Sequence, residues 1–366
     1  MAKAMTEAWV LVSGEGRRTA SLHKKTITLD EIAEHEVLAQ PLYGCMEGNY
    51  VHALRLMPDN IFNMRDEDEI VLGNAGVVQI EAAGSKAKHL KEGDLCIYFC
   101  NGLQDEYGYP KQITAFDKPN SMGVFAKRIK LDQHEVIKIP PNSGLSLQEW
   151  AAFSLKYVTA WSNWKTAYAC WRAQMPDVPP EQTYVFGWGG GVTFGELTLA
   201  KDMGCTCFLM TSRQERLDLA SRHGITGVDR TRFADSEAEW TDFIQTATGG
   251  RGASIFIDNI GTSVYKLTMK GLGRQGVIAT SGWKTGSMLP VLRANECQQR
   301  HIHVFTHYAT YKEGVEAMEF AEAWHWAPPV SGEEYGWEEI PAMLEDYAQG
   351  KIASWFPIFR VNERGG

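Results

Sequence analysis

Four glycines crowd into residues 187–191 of the run TYVFGWGGGVTFGELTLAKDMG (183–204), where a short β-rich stretch gives way to a helical pattern. Gly187, Gly189, Gly190 and Gly191 let a backbone turn sharply and approach an anion closely. A helix starting near Val192 turns free N–H groups and the positive end of its dipole toward the same place. The chemistry this serves is pyrophosphate binding, with a dinucleotide as the candidate ligand. A glycine run by itself also suits any tight strand-to-helix turn, so its neighbours have to decide. Sites that prefer NAD put an acidic side chain about 20 residues further on, against the ribose hydroxyls. This chain has Thr211-Ser212-Arg213 there. A hydroxyl and a guanidinium suit a 2′-phosphate and no carboxylate repels it, so NADPH is the expected cofactor. The alternative is that Arg213 only solvates a helix start.

Two further groups carry possible chemistry. Lys156, in SLKYVTAW, interrupts an otherwise apolar helical stretch. A lysine there is expected to find water or an anion, or to snorkel to the surface. The run RHIHVFTHY spaces His301, His303 and His307 by two residues and then by four, which places all three on one face of a predicted strand. Imidazoles so placed could bind a metal, but no carboxylate lies in the stretch, and a structural role is expected instead.

The elements that must hold these groups are legible on both sides of the glycines. CTCFLMT (205–211), SIFID (254–258) and GVIATSG (276–282) read as buried strands, and QERLDLASRHG reads as a helix closed by Gly224. Strands alternating with helices imply βαβ crossovers and a doubly wound parallel sheet, a Rossmann α/β unit. Residues 1–155 differ. EVLAQPL, EIVLGNAGVVQIEAAG and EGDLCIYFC are β-rich and separated by turn residues such as Gly84, Gly93-Asp94 and Asn101-Gly102. The aromatic and alanine-rich stretch SLQEWAAFSLKYVTAWSNWKTAYACWR predicts helix between the two parts. The tail from about residue 310, ending GKIASWFPIFRVN, returns to strand character and is expected to rejoin the β-rich part. Residues 1–155 with 309–366 would then form one domain, with the Rossmann domain, 156–308, inserted.

Composition sets outer limits. A chain of 366 residues exceeds what one core usually serves. A net charge of −9 argues against nucleic acid, which rewards a basic face. No apolar run is long enough to span a bilayer and the first residues lack the apolar core of a signal peptide, so a cytoplasmic protein is expected. The seven cysteines are scattered without C-x-x-C pairs and read as reduced thiols.

The blocks VLGNAGVVQIEAAGSKAKHLKEGDLCIYF, GVFAKRIKL, EWAAFSLKYVTAW, VFGWGGGVTFGELTLAKDMG, SIFIDNIGTSVY and LGRQGVIATSGW, in this order, resemble the medium-chain dehydrogenase/reductase superfamily along most of the chain. The resemblance implies a mostly β, GroES-like catalytic domain, a Rossmann domain that binds a nicotinamide cofactor, an active site in the cleft between them, and a homodimer. It extends the cofactor contacts from the glycines to Val192, Thr193, Asn259, Gly282 and Trp283, with Lys284 beside the last. Thr193 departs from the pattern, since relatives usually have another glycine there. Zinc-dependent members carry a Cys early, a Gly-His-Glu block and a later ligand. Here the block reads Gly73-Asn74-Ala75-Gly76 and the later stretch has no Cys, His or carboxylate, so no catalytic zinc is expected. Gly-Asn-Ala-Gly-Val is instead similar to the zinc-free quinone reductases, enoyl thioester reductases and crotonyl-CoA reductases. The segment YGCMEGNYVHAL (43–54) falls where such proteins keep their first catalytic residues. Tyr50 resembles the tyrosine of enoyl reductases, whose hydroxyl polarises or protonates an enolate. Glu47 is a candidate proton relay, Asn49 stands beside it, and the resemblance puts Lys156 near the nicotinamide end, where it could bind a substrate carbonyl or carboxylate. The expected activity is zinc-independent, NADPH-dependent hydride transfer to an enone or enoyl thioester, acting on a small molecule. The alternatives are an alcohol dehydrogenase or carbonyl reductase without zinc, and a nucleotide-binding protein without turnover.

Overall fold

The structure, a computed structural model, describes residues 4–234, 236–282 and 300–364. Trp283 and Lys284 lie outside the described residues. The first strands are β1 (Ala4–Ser13), β2 (Ala20–Leu29) and β3 (Glu36–Cys45). Helices α1 (Gly48–Arg55) and α2 (Ile61–Arg65) precede β4 (Glu69–Ile70), β5 (Gly76–Ala83), β6 (Leu95–Tyr98), β7 (Ile129–Asp132) and β8 (Val136–Lys138). Helix α3 runs unbroken over Leu147–Gln174.

The inserted part alternates as its sequence implies: β9 (Tyr184–Trp188), α4 (Gly191–Asp202), β10 (Thr206–Thr211), α5 (Gln214–Arg222), β11 (Thr226–Asp229), α6 (Glu237–Thr248), β12 (Ala253–Ile257), α7 (Tyr265–Gly271), β13 (Leu272–Thr280) and β14 (His303–Thr306). The chain finishes with α8 (Tyr311–Trp324), β15 (Glu334–Tyr335), α9 (Ile340–Ala348) and β16 (Ile358–Arg360). Two compact units result, residues 1–158 with 309–366, and residues 159–308.

The first unit is built on antiparallel pairing. β2, β1 and β4 make a small sheet, and a larger one runs β15-β16-β3-β5-β6-β8, with β7 also on β3. Alternating burial along β3 and the buried apolar face of β5 supply its core. The tail departs from its expected strand character. Its helices α8 and α9 hold 14 and 9 residues against 2 and 3 in β15 and β16, which pair with each other, β16 also lying antiparallel to β3 with Ile358 opposite Cys45. The reason is visible in α8, where Gly314, Ala317, Met318 and Ala321 recur at helical spacing and are buried. Thr310 and Glu313 close the helix start with a reciprocal capping box.

In the second unit six strands lie in the order β11-β10-β9-β12-β13-β14, and every pairing is parallel. This is the doubly wound Rossmann sheet, whose strand order reverses at β9, beside β12. One face is aromatic. Phe186 stacks on Phe208 with centroids 4.4 Å apart, and Trp188 stacks on Trp240 at 5.2 Å. The three histidines do not share a strand face. His301 precedes β14 with a left-handed φ of 52°, so the alternation that would align it with His303 is broken before the strand begins.

The capping box gives a direct test. Thr310→Ala removes the hydroxyl that accepts from Glu313 N, and a loss of about 1 kcal/mol in urea unfolding is expected. An unchanged midpoint would mean that α8 does not depend on its cap.

Candidate active site

In the first unit, the end of β3, the start of α1 and the first turns of α3 meet around one ammonium group. Lys156 is only 4% exposed, as is Glu47. Its Nζ donates to Glu47 Oε1 at 2.5 Å, to the Met46 carbonyl at 2.8 Å and to Cys45 Sγ at 3.3 Å. An ammonium has three N–H bonds, and all three are used. Lys156 is therefore neither snorkelling nor free to hold a substrate carbonyl. Burial alone would lower its pKa, but the acceptors around it, the Glu47 carboxylate among them, outweigh that and raise it. Burial pushes Glu47 above the ordinary carboxylate range while Lys156 pulls it back. Burial also pushes the Cys45 thiol up to about 12, so it stays protonated at neutral pH.

Glu47 is the N-cap residue of α1, and Tyr50 lies in that helix's first turn. Tyr50 is fully buried, packed edge-on against Phe125 at 5.2 Å. Its hydroxyl oxygen accepts from Ala75 N at 3.2 Å, and no acceptor for its own proton is found among the described residues. Burial raises it well above its ordinary pKa, so it donates a hydrogen bond without ionising. Two buried amide groups nearby in sequence are incomplete. Among the described residues Asn49 Oδ1 has no partner, and Asn74, 1% exposed, has none at either Oδ1 or Nδ2. Asn74 was not among the candidates drawn from the sequence. The signal available was its place in Gly73-Asn74-Ala75-Gly76, where the zinc-dependent members of the superfamily this sequence resembles have histidine.

In the second unit the glycines form the turn from β9 into α4 at the strand-order reversal, where ligands bind in such sheets. A Cβ on Gly187 would come within 2.4 Å of Thr193 Cγ2. Gly189 donates to the Met210 carbonyl at 2.8 Å. Gly190 is the N-cap of α4, so the first amides of the helix have no acceptor within it. Thr193 does not spoil this arrangement. It is fully buried, its methyl over Gly187 and its hydroxyl accepting from Asn259 Nδ2 at 3.2 Å, while Val192 is left half-exposed. Asn259 Oδ1 accepts from Ser281 N at 2.8 Å, tying β12 to the end of β13. Gly282 has to be small, since a Cβ would meet the Asn259 carbonyl at 2.6 Å. Ser212 is exposed after β10, and Arg213 is the half-buried N-cap of α5, with no hydrogen bond from its side chain to the helix.

The fit to two groups can be judged from these residues. The β9–α4 turn has the small side chains and unpaired helix amides that a dinucleotide diphosphate requires. Zn²⁺ does not fit at Cys45, where the sulfur faces an ammonium, and among the described residues no three His, Cys, Asp or Glu side chains gather as a metal site.

Residues 191–327 match the zinc-binding dehydrogenase family. The chain is 25% identical over 219 residues to a quinone oxidoreductase-like protein 2 homolog of Nematostella vectensis. That match takes in 59% of this chain and spans 50% of the relative's length. Its fold is similar to an alcohol dehydrogenase of the archaeon Aeropyrum pernix, at TM-score 0.79 and 20% identity over 97% of this chain and 99% of the other. It is similar also to the crotonyl-CoA carboxylase/reductase AntE in complex with NADP, at TM-score 0.78 and 18% identity, covering 98% and 96%. The 2-octenoyl-CoA carboxylase reductase CinF, in complex with NADP and 2-octenoyl-CoA, gives TM-score 0.80 and 16% identity over 99% and 89%.

Two substitutions test the geometry. Lys156→Met strands the Glu47 carboxylate in the interior, and a loss of about 3–5 kcal/mol in denaturant unfolding is expected, partly recovered by adding Glu47→Gln. Wild-type stability of the single variant would contradict the ion pair. Gly187→Ala should destabilise the protein by about 1–3 kcal/mol through overpacking. Combining it with Thr193→Ser, which deletes the opposing methyl and keeps the hydroxyl, should restore most of that; strict additivity would mean the two residues do not touch.

Proposed function

We propose that this chain, which belongs to the medium-chain dehydrogenase/reductase superfamily, is an NADPH-dependent, zinc-independent oxidoreductase that delivers hydride to a C=C conjugated to a carbonyl, as in an enone or enoyl thioester. The observation that carries this reading is the buried Lys156 ammonium, hydrogen-bonded by Cys45, Met46 and Glu47. It fills with a protein cation the neighbourhood in which zinc-dependent relatives keep a metal. What then polarises the substrate is a hydrogen-bond donor.

Tyr50 is that donor. Reducing an isolated carbonyl concentrates charge on one oxygen, whereas reducing a conjugated C=C spreads it through an enolate that a neutral hydroxyl can stabilise. Tyr50 has an O–H proton to give and resists ionisation. Glu47 and Lys156 act on it indirectly, as positioning residues that lock the start of α1. Asn49 and Asn74 bring unpaired polar atoms that a polar substrate group would satisfy.

The cofactor's diphosphate would rest on the amides of Gly190, Gly191, Val192 and Thr193, with Asn259 and Gly282 shaping the adjoining end of the sheet. Bound NADPH supplies the hydride. Ser212 and Arg213 would receive the 2′-phosphate, and Arg213 keeps its guanidinium unpaired among the described residues. The NADP complexes of AntE and CinF are in keeping with this choice. A zinc-free carbonyl reductase is the second reading, kept by the alcohol dehydrogenase likeness. The inward seat of Thr193 favours a working cofactor site over a binding module without turnover. Cytoplasmic location and a homodimer belong to the same proposal, and among the described residues β14 is the last strand of its sheet, an edge that could pair.

Steady-state kinetics on a substrate panel test it. Enones or enoyl thioesters should oxidise NADPH and simple aldehydes should not. Arg213→Ala should raise KM for NADPH by about tenfold or more while leaving KM for NADH nearly unchanged, and Tyr50→Phe should lower kcat by about a hundredfold. Turnover of aldehydes alone, or a preference for NADH, would overturn the reading.

A further inference from the structure

Beneath the glycine turn of the second unit lies a carboxyl group that the proposed chemistry does not use. Glu196 sits in the second turn of α4 and Asn163 reaches it from α3, and both are fully buried. Asn163 Nδ2 donates to Glu196 Oε1 at 3.1 Å. Among the described residues each then keeps one oxygen without a partner, Oε2 of Glu196 and Oδ1 of Asn163. Carboxylate and amide oxygens are both acceptors, so neither can satisfy the other while Glu196 is ionised. A single proton resolves both. Placed on Oε2, it would make an O–H able to donate to Asn163 Oδ1, the oxygen of the amide that already meets the same carboxyl, and so close a reciprocal acid–amide pair.

We propose that Glu196 is a positioning residue kept as a neutral carboxylic acid by its removal from water, with Asn163 as its hydrogen-bond partner, and that this keeps negative charge out from beneath the amides of α4 that receive an anionic cofactor. The proposal rests on the NADPH reading above. An ionised carboxylate in this dry place would oppose a diphosphate at the helix start, because little solvent screens it. Burial pushes the Glu196 carboxyl up to about 8, with the Asn163 and Asn259 amides pulling against that rise. The groups that act on it are those two neutral amides, from α3 and from the turn after β12. The charged residues of α4 itself, Lys201 and Asp202, lie at its other end, where Asp202 feels His223 after α5 and both act on Cys207 of β10. No charged group among the described residues contributes at Glu196.

Glu196→Gln keeps the shape and the reciprocal hydrogen bonds but cannot ionise. The wild-type carboxyl titrates near 8 when folded and near its ordinary 4.5 when unfolded, so the folded state holds an extra proton between those values. Wild-type stability therefore falls as pH rises through that window and levels off above it, a loss the Gln variant escapes. The gap in Tm between variant and wild type should widen from about pH 5 to pH 8 and then stay constant. In fluorescence titrations NADPH should bind several-fold more weakly to wild type above pH 8 than below it, with no such step in the variant. A Tm gap that does not change with pH overturns the proposal, as does equal weakening of NADPH binding in both proteins. If neither protein bound NADPH at any pH, the cofactor reading would fall, and the Tm comparison would still decide the state of Glu196.

Discussion

An ammonium group taken out of water has to be surrounded by acceptors, and this requirement shapes the first unit more than any single apolar contact. Lys156 reaches the interior from α3 and finds a thiol, a carbonyl and a carboxylate in three successive residues, Cys45, Met46 and Glu47. Those residues are where β3 ends and α1 begins. The charge pairing thus fixes the corner from which Tyr50 projects, and the Tyr50 hydroxyl in turn holds the amide of Ala75 in the Gly-Asn-Ala-Gly turn. Removing one partner from such a set leaves the others buried and uncompensated, which is why its cost exceeds that of a surface ion pair.

The second unit obeys a different constraint, closeness of backbone. Gly187 and Thr193 are complementary in volume, one lacking a side chain where the other inserts a methyl. A β-branched residue at the start of a cofactor helix is accommodated by turning inward, and its hydroxyl is then anchored by Asn259. One turn further along α4 come the buried carboxyl of Glu196 and the Asn163 amide bonded to it, so polar side chains as well as apolar ones pack on the inner face of this helix.

The Rossmann unit was legible because its information is local. Each strand is a short apolar run, each helix has its own period, and the glycines mark the turn between them. The tail was less so. SWFPIF suggests a strand and does end in one, but the helical spacing of Gly314, Ala317, Met318 and Ala321 precedes it and accounts for more of the segment. The histidine alternation failed because one backbone angle at His301 breaks the strand that would have expressed it. The electrostatics of the site were out of reach for a further reason. Lys156 and Glu47 are separated by 109 residues and Asn163 and Glu196 by 33, and nothing in either neighbourhood names its partner. A lysine in an apolar helix announces that a counter-charge exists without saying where, and a buried Asn74 is indistinguishable from a turn residue until its neighbours are known.

The pairing of β16 with β3 also bears on how the chain folds as it is made. The second unit is contiguous, and its parallel strands can assemble once residues 159–308 are available. The first unit cannot close the edge of β3 beside Cys45 until Ile358 appears, after the whole of the second unit has been synthesised. Until then that edge is an open template with unpaired backbone groups, a long-range contact that is slow to form and exposed to mispairing. The insertion therefore sets an order of assembly in which the nucleotide-binding unit is complete before the unit carrying Tyr50 and Lys156 can be.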